Sequence, residues 1–352
     1  MADTSRKIEI RDIPTKRLRM RARVVGSEQD FPVIFVHGNC SSSAFFETLL
    51  KTLPQGFQGI APDMRGFGHT EPKTIDATRG MRDFSDDLAA LMEALSLKRA
   101  VFVAHSAGAG IVMQFAIEHA EKMAGIVMEA PLSPYGFGGT RDVDGTPCWA
   151  DFAGSGGGTA NPDFVQRLKA KDRGTESQTS PLNVMNAFYV KPPFRHPDEQ
   201  ALLDSVLDTH VSDELYPGGM TKSENWPGIA PGPTGMNNAM APAFYNTSAF
   251  GSLRNGPDVL WIRGADDAIV SDTSLFDFGY LGKLGAVPGW PGDDKYPPQP
   301  MVSQTRKVME RYAANGGRYR EVVLPDTGHS PHLEKLAEVQ ALLFPFLQEH
   351  TR

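Results

Sequence analysis

Ser106 lies in a run whose residue types suit nucleophilic chemistry. Val101-Phe102-Val103-Ala104 has strand character, Ala104-His105-Ser106-Ala107-Gly108 is a small-x-Ser-x-Gly turn, and Ile111-Val112-Met113-Gln114-Phe115-Ala116 continues as a helix. A serine on so tight a turn is pushed out above its sheet, and small residues on both flanks avoid a collision across the turn. The helix starting there aims free N–H groups and a positive dipole end at any oxyanion forming beside the serine. Five residues are a short signal, and a serine in an ordinary strand-to-helix connection looks the same. Acyl transfer also needs a base, because a serine hydroxyl is inert near neutral pH without one. Of nine histidines, His329 fits best. Asp326-Thr327-Gly328-His329 directly follows a strand-like segment, at the sheet edge where active-site loops gather. His37 reads as a brace for the loop after its own strand, and His105 as a buried neighbour that projects away from the turn. His332 stands three residues beyond His329, a spacing open to metal ligation, but no nearby carboxylate or cysteine completes a set.

The elements that must position these residues follow from hydrophobic pattern. Lys7–Ile13 and Leu18–Val25 largely alternate and read as an antiparallel hairpin with one wet face. Pro32–Val36, Gly59–Asp63, Val101–Ala104, Gly125–Met128, Asp258–Arg263 and Tyr319–Leu324 read as further strands, separated by helical stretches at Ala44–Leu53, Phe84–Leu95, Val302–Ala314 and Leu333–Glu349. Such β-α alternation predicts an α/β fold with a mostly parallel, doubly wound sheet. The alternation stops between Leu132 and about Gly256, a Gly-, Pro-, Asn- and Met-rich stretch with short helix candidates such as Pro197–His210, and again between Ser271 and Gln299. Stretches this long without regular structure are usually functional lids.

The 352 residues, 40% hydrophobic and 22% charged, suit a globular enzyme with one large domain plus an insertion. A net charge of −7 with no basic block argues against nucleic acid or an anionic membrane as partner. The charged start Met1–Lys7 leads into no apolar stretch, so neither a signal peptide nor a membrane span is expected. Two cysteines indicate no disulfide framework and fit a cytoplasmic setting.

Four motifs, in order, resemble those of the α/β-hydrolase superfamily. His37-Gly38-Asn39-Cys40 is similar to its oxyanion loop, Asp63-Met64-Arg65-Gly66-Phe67-Gly68-His69-Thr70 to its D-x-R-G-x-G-x-S/T turn, Ala104–Gly108 to its elbow, and Gly328-His329 to its histidine site. The resemblance runs from about Lys7 to Leu347. It implies an eight-stranded, mostly parallel sheet formed by 1–131 and 257–352, with a cap inserted at 132–256 after the sixth strand. A second flap at 271–300 would follow the seventh.

The resemblance also supplies a triad acid. Asp267, in Gly264-Ala265-Asp266-Asp267-Ala268-Ile269-Val270, resembles the family's acid after the seventh strand and is favoured. Glu129, in Val127-Met128-Glu129-Ala130-Pro131, is the alternative, since haloalkane dehalogenases and zearalenone-type lactonases take their acid there. A carboxylate directly after a buried strand is not idle, because an unpaired buried charge is costly. The oxyanion hole would combine the N–H groups of Asn39 and Ala107. The Asn39 place also resembles the halide-binding asparagine of haloalkane dehalogenases. Ser106 stands where those enzymes and epoxide hydrolases carry an aspartate, which disfavours both chemistries.

The expectation is therefore a serine esterase or lactonase with no cofactor and no metal, acting on a small-molecule substrate of medium size and apolar character. A C–C bond hydrolase of the β-diketone or meta-cleavage kind, or an amidase, would use the same triad. A non-catalytic receptor on the same fold is the alternative of another class. The aromatic and methionine content of the inserts suits an adaptable apolar pocket, with Cys40, Glu129, Trp149, Phe188, Tyr189, Met240 and Tyr245 as candidate substrate contacts. Oligomeric state is left open, a homodimer being one option.

Overall fold

The arginines of Arg19-Met20-Arg21-Ala22-Arg23 sit on one side of their strand and the apolar residues on the other. In the computed structural model, which describes residues 6–351, Met20, Ala22 and Val24 are buried. Arg21 reaches outward to Asp12 on the neighbouring strand at 2.7 Å. Residues 1–5, on which part of the expectation about a signal peptide rests, lie outside the described residues. Among the described residues no helix is long and apolar enough to cross a membrane.

Eight strands form the main sheet: β1 Glu9–Pro14, β2 Arg19–Val25, β3 Phe31–Val36, β4 Phe57–Pro62, β5 Ala100–His105, β6 Met123–Glu129, β7 Asp258–Gly264 and β8 Tyr319–Leu324. Their order is β1-β2-β4-β3-β5-β6-β7-β8. β2 is antiparallel to both of its neighbours, and all pairs from β4 to β8 are parallel. The interior strands β4, β5 and β6 are buried along their whole length, as a sheet covered on both faces requires. Alternate residues feed two cores. Val33, Phe35, Val101 and Val103 pack with Leu49 and Leu50 of α1 (Glu47–Thr52) and Val339, Leu343 and Leu347 of the closing helix. Ile34, Val36, Phe102 and Ala104 pack with α2 (Arg82–Ala94) and α3 (Ala107–His119).

The two irregular stretches carry more regular structure than their composition suggests. Between β6 and β7 lie helices α4 (Pro162–Lys169) and α5 (Glu199–Leu207) and two small strand pairs. Asn161 caps α4 with its side chain. The helix α6 (Met301–Ala314) precedes β8. The expected closing helix is broken at Lys335 into a short turn, Pro331–Glu334, and α7 (Leu336–Glu349). The parallel edge of the sheet thus gathers the ends of β3, β5, β6, β7 and β8 on one side, where such sheets hold ligands.

Candidate active site

Ser106 connects β5 to α3 with φ 56° and ψ −122°, a conformation outside the ordinary regions for a residue with a side chain. The neighbouring packing enforces it. A Cβ on Gly108 would stand 2.3 Å from the Val36 carbonyl oxygen and 2.5 Å from that of His37. Only glycine lets the start of α3 lie so close to the end of β3. On the other side, a Cβ on Gly38 would fall 2.9 Å from Ser106 Cβ. The His37–Cys40 loop is therefore pressed against the serine. Ser106 itself is half-buried, in a neighbourhood of buried residues.

His37 braces that loop. Its Nδ1 bonds the Gly38 carbonyl at 2.8 Å, and the Met64 N–H donates to its Nε2 at 2.9 Å. Burial lowers its pKa and favours this neutral tautomer. Neither the Asn39 N–H nor the Ala107 N–H has an acceptor among the described residues, so two backbone donors flank Ser106 unused. The Asn39 side chain is engaged elsewhere: Oδ1 accepts from the Cys40 N–H at 3.1 Å and Nδ2 donates to Asn237 at 2.9 Å.

His329 is buried, and its Nδ1 bonds Asp267 Oδ2 at 2.8 Å. The other oxygen, Asp267 Oδ1, accepts the N–H groups of Ile269 and Val270 at 2.8 and 3.0 Å. The carboxylate is thus fixed by its own turn and presents one oxygen to the imidazole, leaving Nε2 as the ring's other nitrogen. The His329 ring lies 4.7 Å from that of His105, the residue before Ser106, and the His329 carbonyl accepts from His105 Nε2 at 2.8 Å. No hydrogen bond joins Ser106 Oγ to His329 Nε2 among the described residues. Such bonds commonly tighten only when substrate is bound.

Glu129 does not reach His329. It is wholly buried, and its Oε2 accepts both the backbone N–H of His332 at 3.0 Å and the ring Nδ1–H at 2.9 Å. The opposite face of His332 stacks on Phe46. The carboxylate partner absent from the sequence around His332 thus comes from β6, two hundred residues away.

Tyr245 is likewise buried. It is 1% exposed and anchors α3 through the Gly110 carbonyl at 3.3 Å. Trp149 is half-buried and donates from Nε1 to the Trp226 carbonyl, tying one part of the long insert to another. Met240 is buried. Tyr189 donates to the Cys40 carbonyl at 3.3 Å, and Phe188 meets Phe276 edge-on at 5.1 Å. The insert therefore touches the His37–Cys40 loop at Tyr189 and Asn237, and touches the second irregular stretch at Phe188. Burial pushes the Cys40 thiol up to about 12, so it is neutral near pH 7.

His105 and Glu334, the second not singled out in the sequence, help hold this arrangement together. His105, its pKa well lowered by burial and by the nearby histidines, is a neutral donor on the His329 carbonyl. Glu334 accepts from the N–H of Gly328 at 2.9 Å. The first contact spans the fold and the second is local, and neither has a motif of its own. A separate cavity of about 520 Å³, lined by Arg23, Ser42, Asp63, His69, Lys171 and Asp204 among others, contains none of Ser106, Asp267 and His329.

A family model described as the alpha/beta hydrolase fold matches residues 32–278, and the chain belongs to that family. Non-heme chloroperoxidase CPO-A1 of Kitasatospora aureofaciens is 31% identical over 121 residues, 34% of this chain and 43% of that protein. 2-Hydroxymuconate semialdehyde hydrolase of Pseudomonas sp. (strain CF600) is 30% identical over 112 residues, 31% of this chain and 39% of that protein. The match spans less than half the length of either relative. The crystal structure of the esterase RhEst1 from Rhodococcus sp. ECU1013 superposes with a TM-score of 0.60 over 97% of this chain and 99% of that one, at 16% identity, a likeness of fold.

Proposed function

We propose that the protein is a serine hydrolase that cleaves a carboxylic ester or lactone of a medium-sized, largely apolar substrate through an acyl-enzyme. The observation that carries this reading is the buried His329–Asp267 pair at 2.8 Å beside a serine held at φ 56°. Ser106 Oγ attacks the carbonyl carbon while His329 Nε2 takes its proton. Asp267 keeps the proton of His329 on Nδ1 and stabilises the imidazolium that forms. The N–H groups of Asn39 and Ala107 receive the oxyanion. His329 then returns the proton to the leaving alcohol, which in a lactone stays tethered to the acyl group, and a water repeats the sequence to release the acid.

In this reading residues 132–256 act as a cap and 271–300 as a flap over the core. Tyr189 against Cys40, Asn237 against Asn39, and Phe188 against Phe276 support a site enclosed by the inserts, and the aromatic and methionine content of the inserts supports its apolar character. A C–C bond hydrolase is the second reading. It is favoured by the similarity to 2-hydroxymuconate semialdehyde hydrolase and would use the same three side chains.

A panel of aryl esters with acyl chains of increasing length, run beside a lactone and a vinylogous β-diketone, tests the proposal. The expected result is kcat/KM rising with acyl size on the oxygen esters. Highest values on acetates, falling with each added carbon, would contradict the apolar site. Turnover of the diketone alone would move the chemistry to carbon–carbon cleavage.

A further inference from the structure

Lys191 belongs to the long insert, yet it touches both loops that carry the acid and the base. Its ammonium donates to Asp266 at 2.9 Å and to Asp326 at 2.6 Å. Asp266 is the chain neighbour of Asp267, and Asp326 lies three residues before His329. The backbone of Lys191 makes a third attachment. Its N–H donates to Glu334 Oε2 at 2.8 Å, and the same carboxylate accepts the N–H of Gly328, the residue before His329. The approach is close: a Cβ on Gly328 would meet Lys191 N at 2.7 Å and the Val190 carbonyl carbon at 3.0 Å.

We propose that Lys191 is a positioning residue through which the insert sets the distance between the Asp267 loop and the His329 loop. This rests on the hydrolase reading above. Two carboxylates, one from each loop, share one ammonium and lie within its reach. Without that charge the two aspartates repel, one on the loop that carries Asp267 and the other on the loop that carries His329. An isolated exposed ion pair contributes little to stability. Here the pair is joined to the Glu334 clamp on Gly328, so its effect falls on the geometry of a single hydrogen bond. Lys191 is one-third exposed, Asp266 about half and Asp326 three-quarters, which leaves the ammonium open to screening by salt.

The test compares wild type with K191M, K191R and the triple variant K191M/D266N/D326N. The readouts are ester turnover, the rate of fluorophosphonate labelling of Ser106, and solvent exchange of the His329 Nδ1 proton by NMR. Thermal unfolding confirms that each variant is folded. K191M is expected to lose about five- to thirtyfold in kcat, with KM changed less than about twofold. K191R and the triple variant are expected to recover most of the loss, the first by restoring the cation and the second by removing the repulsion. Raising salt to about 1 M, where the screening length is about 3 Å, should screen the aspartate repulsion and speed K191M toward the triple variant, whose own rate should stay unchanged. A folded K191M with wild-type kcat and labelling rate overturns the proposal, and so does a triple variant no better than K191M. If wild type fails to label, the hydrolase reading fails. The Lys191 assignment is then decided by the His329 proton, which must exchange faster in K191M; an unchanged exchange rate overturns it.

Discussion

Glu129 binds His332 and leaves His329 to Asp267. One Glu129 oxygen takes both the main-chain and the ring N–H of His332, while Asp267 Oδ2 takes the His329 Nδ1–H at 2.8 Å. Two acid–imidazole pairs therefore lie side by side, joined by the His105 ring, which is 4.7 Å from His329 and 5.2 Å from His332. Of the two, the Asp267–His329 pair is the one proposed to serve Ser106.

The two carboxylates should separate cleanly by mutation. Asp267→Asn should lower kcat by about three to four orders of magnitude, because the amide favours the wrong imidazole tautomer. Glu129→Gln should act on thermal stability first and lower kcat far less, since an amide oxygen can still accept from His332. Steady-state kinetics and thermal unfolding of both variants check this. The reverse ranking in kcat would transfer the acid role to Glu129.

Two glycines should fail differently. The added methyl of Gly108→Ala meets two carbonyl oxygens, that of Val36 at the end of β3 and that of His37 just beyond it. That variant should lose several kcal/mol of stability, on the order of ~3 kcal/mol or more. Gly38→Ala meets the Ser106 side chain. It should fold and lose about two to three orders of magnitude in kcat, by displacing the Asn39 N–H. A folded Gly38→Ala enzyme of normal activity would remove Asn39 from the oxyanion hole.

Cys40→Ser should keep most activity. The thiol is buried and pushed up to about 12 by that burial, facing the hydroxyls of Tyr216, Thr209 and Tyr189. Activity and the rate of reaction with a small thiol reagent check the point. A dead serine variant would contradict it.

Asp277 supplies a pH dependence of stability. It is buried, Oδ2 accepts the N–H groups of Tyr280 and Gln299, Oδ1 has no partner, and burial raises its pKa to about 6. Cys148 and Tyr296 face it. The folded-state value is above the ordinary 3.8, so the folded state holds the proton more tightly. Its contribution to stability is fully present below about pH 4 and is lost as pH rises through about 6. Asp277→Asn should therefore raise Tm by a few degrees, roughly, at pH 8, and the gain should vanish near pH 4. An equal gain at both pH values would show that ionisation is not its cause.

Much of the fold was legible in the sequence because its signals are local. The strand runs from Pro32 to Val36 and from Val101 to Ala104, and the arginine alternation of Arg19–Arg23, are patterns within a few residues. The turns that carry Ser106 and His329 were legible because they follow strands directly. The partner of His332 was not, because Glu129 reaches it only once β6 and the loop after β8 are aligned by the sheet. The contacts of Lys191 with Asp266, Asp326 and Glu334 are likewise pairings across the fold, without spacing or motif. Tyr245 and Trp149 show the same limit. The bond of Tyr245 to α3 and that of Trp149 to another part of the insert are legible only in the fold, because each partner lies far along the chain.

The most direct measurement is intact-mass and peptide analysis after reaction with a fluorophosphonate, on wild type and Ser106→Ala. The account predicts one equivalent of adduct on Ser106, complete loss of esterase activity in step with labelling, and neither adduct nor turnover in Ser106→Ala. An unlabelled wild type with full ester turnover, or a Ser106→Ala enzyme within about tenfold of wild type in kcat, would contradict the claim that Ser106 is the nucleophile.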